Sequence, residues 1–281
     1  MRLIHVAMLD GKRLSRSPGL WIAMVGCVFA IAGGVVLPGL FLSEVNAGVG
    51  LAFMLGPGTD LVVPIVALLT TYGAIAGQRE RGSITILLGT PHRRIDVLGG
   101  ILIARVVAVV GILMLAIATA TLLILVMYGV PPIRRLLVFT VVAVLAVICY
   151  CSIGVAVSAT VSSRNRAIAI LLPGLLFAYG VWSPLLRGVE TVVFESVPWW
   201  FDYAELVNPL AAFGTAAHEI LPPTPHLAVA IDEGGLDAEA GAFVGGSATV
   251  SVIGFAIGVL LWWTIIPLLV ARWRMGRVPL A

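Results

Sequence analysis

Six long apolar segments constrain this 281-residue chain more than any other feature, because each is long enough to cross a lipid bilayer. The chain is 60% apolar and only 11% charged, whereas a soluble domain carries about 25% charged residues. We therefore predict an all-α integral membrane protein with six transmembrane helices, forming a single transmembrane domain with no room for a separate catalytic domain. The predicted spans lie near 20–42, 61–77, 101–128, 136–161, 167–186 and 247–271.

The distribution of positive charge predicts the orientation of these spans. Cytoplasmic loops of membrane proteins are enriched in Lys and Arg. With the N-terminus inside, only Arg134, Arg135 and Arg187 of the 17 basic residues would lie outside. We therefore expect both termini in the cytoplasm of a prokaryotic cell, and a multi-pass protein in its plasma membrane.

Two segments outside the spans are also expected to contact the membrane surface. Residues 1–19 are basic and amphipathic, which predicts an interfacial helix; a plain positively charged flank is the alternative. Its lipid-facing residues would be Leu3, Val6, Ala7 and Leu14. Residues 187–246 hold nine of the 14 acidic residues and predict an extracytoplasmic helical segment, with a break at Asn208-Pro209 and a surface that can dock an extracytoplasmic partner.

Several kinds of chemistry are excluded by missing motifs. A P-loop needs a lysine followed by Ser or Thr, but the sole lysine, Lys12, precedes Arg13. The metalloprotease and serine-hydrolase motifs are absent as well. Cys27, Cys149 and Cys151 lie in apolar runs without metal-ligand spacing. We expect no catalytic residue, no metal site, no cofactor and no nucleic-acid partner for this chain.

The spans carry no carboxylate at mid-depth, since Asp60 lies at a span end. Ion-coupled carriers usually place ionisable groups inside the bundle. Energy for transport is therefore expected from a separate ATPase subunit. Gly73–Gly77 and Gly254–Gly258 fit GxxxG and predict close helix packing.

Charge, turn residues and amphipathic periodicity coincide only in the loop between the second and third spans, residues 78–100. Ser83 is placed to cap a short helix, in which Leu87 and Leu88 share an apolar face with Ile84. Pro91 ends that helix. Its apolar face needs a cover of lipid, neighbouring spans or a partner protein, and a plain interfacial loop is the alternative interpretation.

This loop resembles the signature of ABC-2 type permeases, the membrane subunits of ATP-binding-cassette exporters. The resemblance rests on Glu80-Arg81-Gly82-Ser83, Leu87-Leu88, Pro91, Arg93-Arg94 and Gly99, and on the run Tyr72–Gly77. Gly73 and Gly100 depart from the pattern, because they replace an acid and a lysine. Leu206-Val-Asn-Pro-Leu210 resembles a motif before the last span. Within that family, the chain resembles the branch that includes the permease for nitrous-oxide-reductase maturation, often labelled copper-related.

The resemblance implies a half-transporter. Two permease copies, identical or paralogous, pair in the lipid bilayer, and two P-loop ATPase subunits that hold ATP and Mg²⁺ dock below. The ATPase-coupling residues would be Arg79, Glu80, Arg81, Gly82, Ser83, Leu87, Leu88, Pro91, Arg93 and Arg94. Two alternatives stay open: a non-transporting scaffold that relays ATPase work, and, less favoured, an ion-coupled carrier. No span carries a recognisable substrate-binding constellation.

Overall fold

The computed structural model describes residues 2–41, 46–54, 57–80, 94–194, 198, 200–219 and 250–277. Within these ranges every regular element is a helix. The helices are α1 (Arg2–Ser15), α2 (Pro18–Val36), α3 (Pro38–Phe41), α4 (Ala47–Met54), α5 (Pro57–Thr71), α6 (Ala76–Glu80), α7 (Arg94–Tyr128), α8 (Ile133–Thr160), α9 (Arg164–Gly180), α10 (Trp182–Val193), α11 (Phe201–Leu206), α12 (Pro209–Glu219) and α13 (Val250–Arg277).

Five stretches of the described chain are long and apolar enough to cross a membrane. They are Pro18–Phe41, Thr59–Glu80, Asp96–Tyr128, Ile133–Thr160 and Val252–Arg274. Helices α9 and α10 together make a sixth if they form one span, although they bend by 46° at Val181. The prediction of an all-α membrane protein is confirmed at the level of five or six spans. Within the predicted fifth span, 167–186, the helix breaks after Gly180.

Helix α8 lies at the centre of the bundle, where α5, α7 and α13 all pack against it. A second, smaller core cluster joins Val6 of α1, Ile75, Val97 of α7, Val155 of α8 and Ala271 of α13. The start of α7 therefore shares one end of the bundle with α1 and with the ends of α5, α8 and α13. We call this the α1 end.

Close packing of α5 on α8 depends on Gly154. A Cβ atom there would collide with Thr71 Oγ1 and would lie 2.8 Å from Thr71 Cβ. Thr71 cannot easily move, because its hydroxyl donates to the carbonyl oxygen of Ala67 at 2.7 Å. A small residue at this contact lets the two helix backbones approach closely.

Opposite effects are expected for two Gly→Ala changes inside helices. Gly154→Ala overpacks the α5–α8 contact and should lower the free energy of unfolding by about 1–3 kcal/mol. Gly111→Ala, in α7, meets no atom within 4 Å. It should stabilise the protein by about 0.5–1 kcal/mol, since alanine is the better helix former. Unfolding in detergent, followed by circular dichroism, measures both, and equal effects would contradict the packing described for Gly154.

Helices α11 and α12 form a hairpin, residues 201–219, that packs against both α8 and α13; we call it the re-entrant hairpin. In α11, the Tyr203 ring lies 5.0 Å from the Phe255 ring of α13. Eight residues further along α13, Trp263 Nε1 donates to the carbonyl oxygen of Val207 at 2.9 Å. In α12, the centre of the Phe213 ring lies 6.4 Å from that of the Phe139 ring of α8. The segment predicted as helical after residue 204 thus packs among the spans.

The hairpin turns at Asn208, whose side chain replaces the missing helical hydrogen bonds. Its Oδ1 accepts the N–H of Leu210 at 3.0 Å, which caps α12, and Pro209 occupies the first helical position. Its Nδ2 donates to the carbonyl oxygen of Ala178 at 2.7 Å, beside the break in the fifth span. One buried amide therefore supports two neighbouring helix ends.

The prediction for α1 was wrong about which face contacts lipid. Val6 and Leu14, expected to face lipid, are only 4% and 6% exposed. They pack on the protein side, where α1 contacts α7. Met8 and Leu9 are the exposed apolar residues instead. Asp10 lies between Val6 and Leu14 on this face. Its ion pair with Arg105 of α7 holds the face against the bundle.

Candidate coupling site

The second span breaks one turn before its charged end. Helix α5 ends at Thr71, residues 72–75 form turns, and α6 begins at Ala76. Ser158 Oγ of α8 accepts the N–H groups of both Ile75 and Ala76 at 3.0 Å. Ser158 is fully buried. Its hydroxyl satisfies two backbone donors that the break leaves without helical partners.

The predicted GxxxG pair Gly73 and Gly77 faces a side chain rather than a helix backbone. A Cβ atom on Gly73 would lie 3.3 Å from Arg164 Nε, and one on Gly77 would collide with the same nitrogen. Because neither glycine has a side chain, the Arg164 guanidinium can lie across the turn between α5 and α6. The other pair, Gly254 and Gly258, meets no atom within 4 Å in the described part of the chain.

Both charged residues at the end of α6 bind the junction between α8 and α9. Arg79 Nη1 donates to the carbonyl oxygen of Val161 at 2.9 Å. Glu80 Oε1 accepts the backbone N–H of Arg164 at 2.9 Å, and its Oε2 lies 3.9 Å from Arg164 Nε. Ser163 Oγ caps α9 by accepting the N–H of Arg166 at 3.3 Å. The end of the second span is thus attached to the start of α9.

The structure describes three of the ten predicted coupling residues. Arg79 and Glu80 lie together in the contacts above, and Arg94 is the first residue of α7. Seven lie outside the described residues: Arg81, Gly82, Ser83, Leu87, Leu88, Pro91 and Arg93. Their role stays a prediction.

A buried ion pair joins α1 to the start of the third span. Arg105 Nε donates to Asp10 Oδ2 at 2.8 Å, and Arg105 Nη2 donates to Asp10 Oδ1 at 3.1 Å. Arg105 Nη1 donates to the carbonyl oxygen of Thr70 at 2.6 Å, at the last turn of α5. Three elements, α1, α5 and α7, therefore meet at one guanidinium.

Sequence reasoning missed four residues of these contacts. Ser158 was one polar residue in an apolar run, and Arg164 and Arg105 were counted only as positive charges. The ion pair could have been predicted from Asp10, because it is the one acid in the basic segment 1–19 and Arg105 lies inside an apolar run. Charged residues near apolar segments usually pair with each other.

The arrangement fixes both ends of the segment 81–93 to packed spans. On one side, α6 is attached to α8 and α9 through Arg79 and Glu80. On the other, Val97, Leu98 and Ile101 of α7 lie in the cluster at the α1 end. A displacement of the segment would therefore move several spans together.

Loss of the buried carboxylate should destabilise the protein strongly. Asp10→Asn leaves the Arg105 guanidinium without a counter-charge, and breaking a buried pair costs about 3–5 kcal/mol. The side chains of Arg105 and Asp10 are only 11% and 4% exposed. We expect a lower midpoint of thermal unfolding.

The matched control is Lys12→Gln, an exposed charge on the same helix, which should change the free energy of unfolding by less than about 0.5 kcal/mol. Combining Asp10→Asn with Arg105→Gln should cost less than the sum of the two single changes. Additive effects would contradict the ion pair.

A family model described as ABC-2 family transporter protein matches residues 21–278. No curated protein matches the chain. Because the family match covers most of its length, the chain belongs to the ABC-2 family of transporter proteins. It is accordingly a multi-pass permease subunit of an ABC transporter, in a family that generally leaves ATP hydrolysis to an ATP-binding partner subunit.

Proposed function

We propose that this ABC-2 family member is the permease half of an exporter, and that residues 79–94 transmit ATP-driven motion of a separate ATPase subunit into alternating access. The observation that carries the proposal is the double attachment of this segment. Glu80 and Arg79 bind the α8–α9 junction at 2.9 Å. The first turns of α7 pack in the cluster at the α1 end.

A push on this segment would reach the spans through directional contacts rather than through apolar packing alone. Hydrogen bonds from Arg79 and to Glu80 would draw α9 along with α6. The Ser158 hydroxyl would transmit the motion to α8, since it accepts the backbone N–H groups of Ile75 and Ala76 at the turn before α6. Arg105 would pass it to α1 through Asp10. Rigid elements with such links can act as one body during a conformational change.

The remaining parts of the assembly follow from family membership and charge. We place the α1 end in the cytoplasm of a prokaryote, because most Arg residues lie at that end. ATP and Mg²⁺ would be held by the partner ATPase. A second permease copy and lipid would cover the exposed apolar side chains of α2 and α13, among them Phe29 and Trp262.

A second candidate function is that of a force-transmitting subunit that does not transport. It is favoured by the acidic composition of residues 187–246, which suits docking of an extracytoplasmic partner. It would also agree with the resemblance to the nitrous-oxide-reductase maturation branch. An ion-coupled carrier has no comparable support.

The coupling segment can be tested by co-expressing this chain with its ATPase subunit. Combining Glu80→Ala with Arg81→Ala removes the acceptor for Arg164 and one neighbouring charge. Co-purification with the ATPase and stimulation of its activity should both be lost.

The matched control is Arg187→Ala with Glu190→Ala, which removes the same two charges from α10, a helix without buried residues. Association and stimulation should survive in this control. If they also survive in the Glu80/Arg81 double variant, the coupling assignment is wrong.

Orientation can be tested by cysteine labelling, since the three native cysteines are buried and should not react. Asp237→Cys should react with a membrane-impermeant maleimide added to intact cells. Asn165→Cys, exposed at the start of α9, should react only after lysis. The reverse pattern would overturn the proposed orientation.

A further inference from the structure

We propose that Asp60 and Tyr150 form a binding site within the membrane for the protonated amine of an amphiphilic substrate, beneath the re-entrant hairpin. The proposal rests on the transport function proposed above and names the chemical class of its substrate. Three helices that pack against one another contribute to this site: α5 provides Asp60, α8 provides Tyr150, and α12 provides Gly214 and Thr215.

Asp60 lies in the first turn of α5, at the end of the bundle opposite the α1 end. A Cβ atom on Gly214 of α12 would lie 3.4 Å from Asp60 Oδ2 and 3.7 Å from Asp60 Cγ. Almost none of the Asp60 Oδ1 surface is accessible, whereas the residue as a whole is partly exposed. The hairpin therefore covers this carboxylate on one side and leaves an approach on another. An ionisable residue covered by protein at membrane depth is expected to be functional.

Tyr150 provides the second polar group. The residue is 3% exposed, and its hydroxyl has no hydrogen-bond partner among the described residues. Side chains on a helix lean towards its N-terminus. The N-terminal half of α8 contacts the hairpin through Phe139, whereas its C-terminal half contacts Thr71 through Gly154. Side chains of α8 therefore lean towards the hairpin. Asp60 lies in the first turn of α5, so the Tyr150 side chain extends towards the end of the bundle at which Asp60 lies.

Thr215 repeats this pattern on the covering helix. It is 3% exposed, and its hydroxyl also has no partner among the described residues. Buried hydroxyls without partners are uncommon, and each indicates an absent ligand or water, or a functional role. Two of them, on helices that pack against each other and against the helix that carries Asp60, point to a ligand that donates hydrogen bonds.

The surroundings determine which ligand suits these groups. A carboxylate and two hydroxyl oxygens can accept the N–H bonds of an ammonium group, and bonds to ionised groups are the strong ones. Tyr150 belongs to an apolar core cluster that also includes Phe139, Phe213 and Leu210. An apolar body with one cationic amine matches this combination. Gly214 supplies room beside the carboxylate that any larger residue would reduce.

The site can be tested on the chain alone, reconstituted in nanodiscs without its ATPase. The probe is dodecylamine, which is protonated at neutral pH, and the matched neutral ligand is 1-dodecanol. Dodecylamine should raise the midpoint of thermal unfolding of the wild-type protein, whereas dodecanol should not. The shift should be absent in Asp60→Asn and smaller in Tyr150→Phe and Gly214→Ala. Glu190→Gln, which removes a carboxylate from exposed α10, should keep the full shift.

An equal amine-dependent shift in the wild type and in Asp60→Asn would overturn the proposal, as would an equal shift with dodecanol. No amine-dependent shift in the wild type would overturn it as well, and would leave water as the partner of the two hydroxyls. If Asp60→Asn fails to fold, an undiminished shift in both Tyr150→Phe and Gly214→Ala is the contradicting result. A failure here while Glu80/Arg81-dependent ATPase association persists would reject the substrate class and leave the coupling function intact.

Discussion

Backbone hydrogen bonding in a medium without water is the constraint on which this fold depends. A continuous helix satisfies its own N–H and C=O groups in lipid, whereas every break needs other partners. Ser158 supplies them at the turn after Thr71, because its single hydroxyl accepts two N–H groups. Asn208 supplies them at the tip of the re-entrant hairpin and beside the break after Gly180. At these sites the helix breaks depend on buried polar side chains.

The turn after Thr71 and the hairpin at Asn208 each lie next to a candidate function. The turn after Thr71 separates the body of the second span from the short helix that carries Glu80, so the charged end can follow the α8–α9 junction. The hairpin at Asn208 brings α12 over Asp60. In the functions proposed above, one end of the bundle receives motion and the opposite end holds a ligand, with α5 and α8 running between them.

The candidate coupling site was only partly predictable. Charges beside turn residues indicated Arg79 and Glu80, because that local pattern is visible in one segment. Their partners are far away in sequence: the hydrogen bond from the Arg164 backbone to Glu80 spans 84 positions, and no local pattern reports it. The face of α1 was mispredicted for the same reason. Asp10 looked like one polar residue on a surface helix until its partner Arg105 was known.

The sequence by itself determined that the chain is helical and membrane-embedded, since about 20 apolar residues in a row leave few other structures in lipid. It also determined the family, through the residues around Glu80. Only the tertiary structure decided where the helices break, which face of α1 is buried and which residues surround Asp60. Those outcomes depend on side chains from distant segments meeting backbone groups, and hydropathy along one segment contains no information about its neighbours.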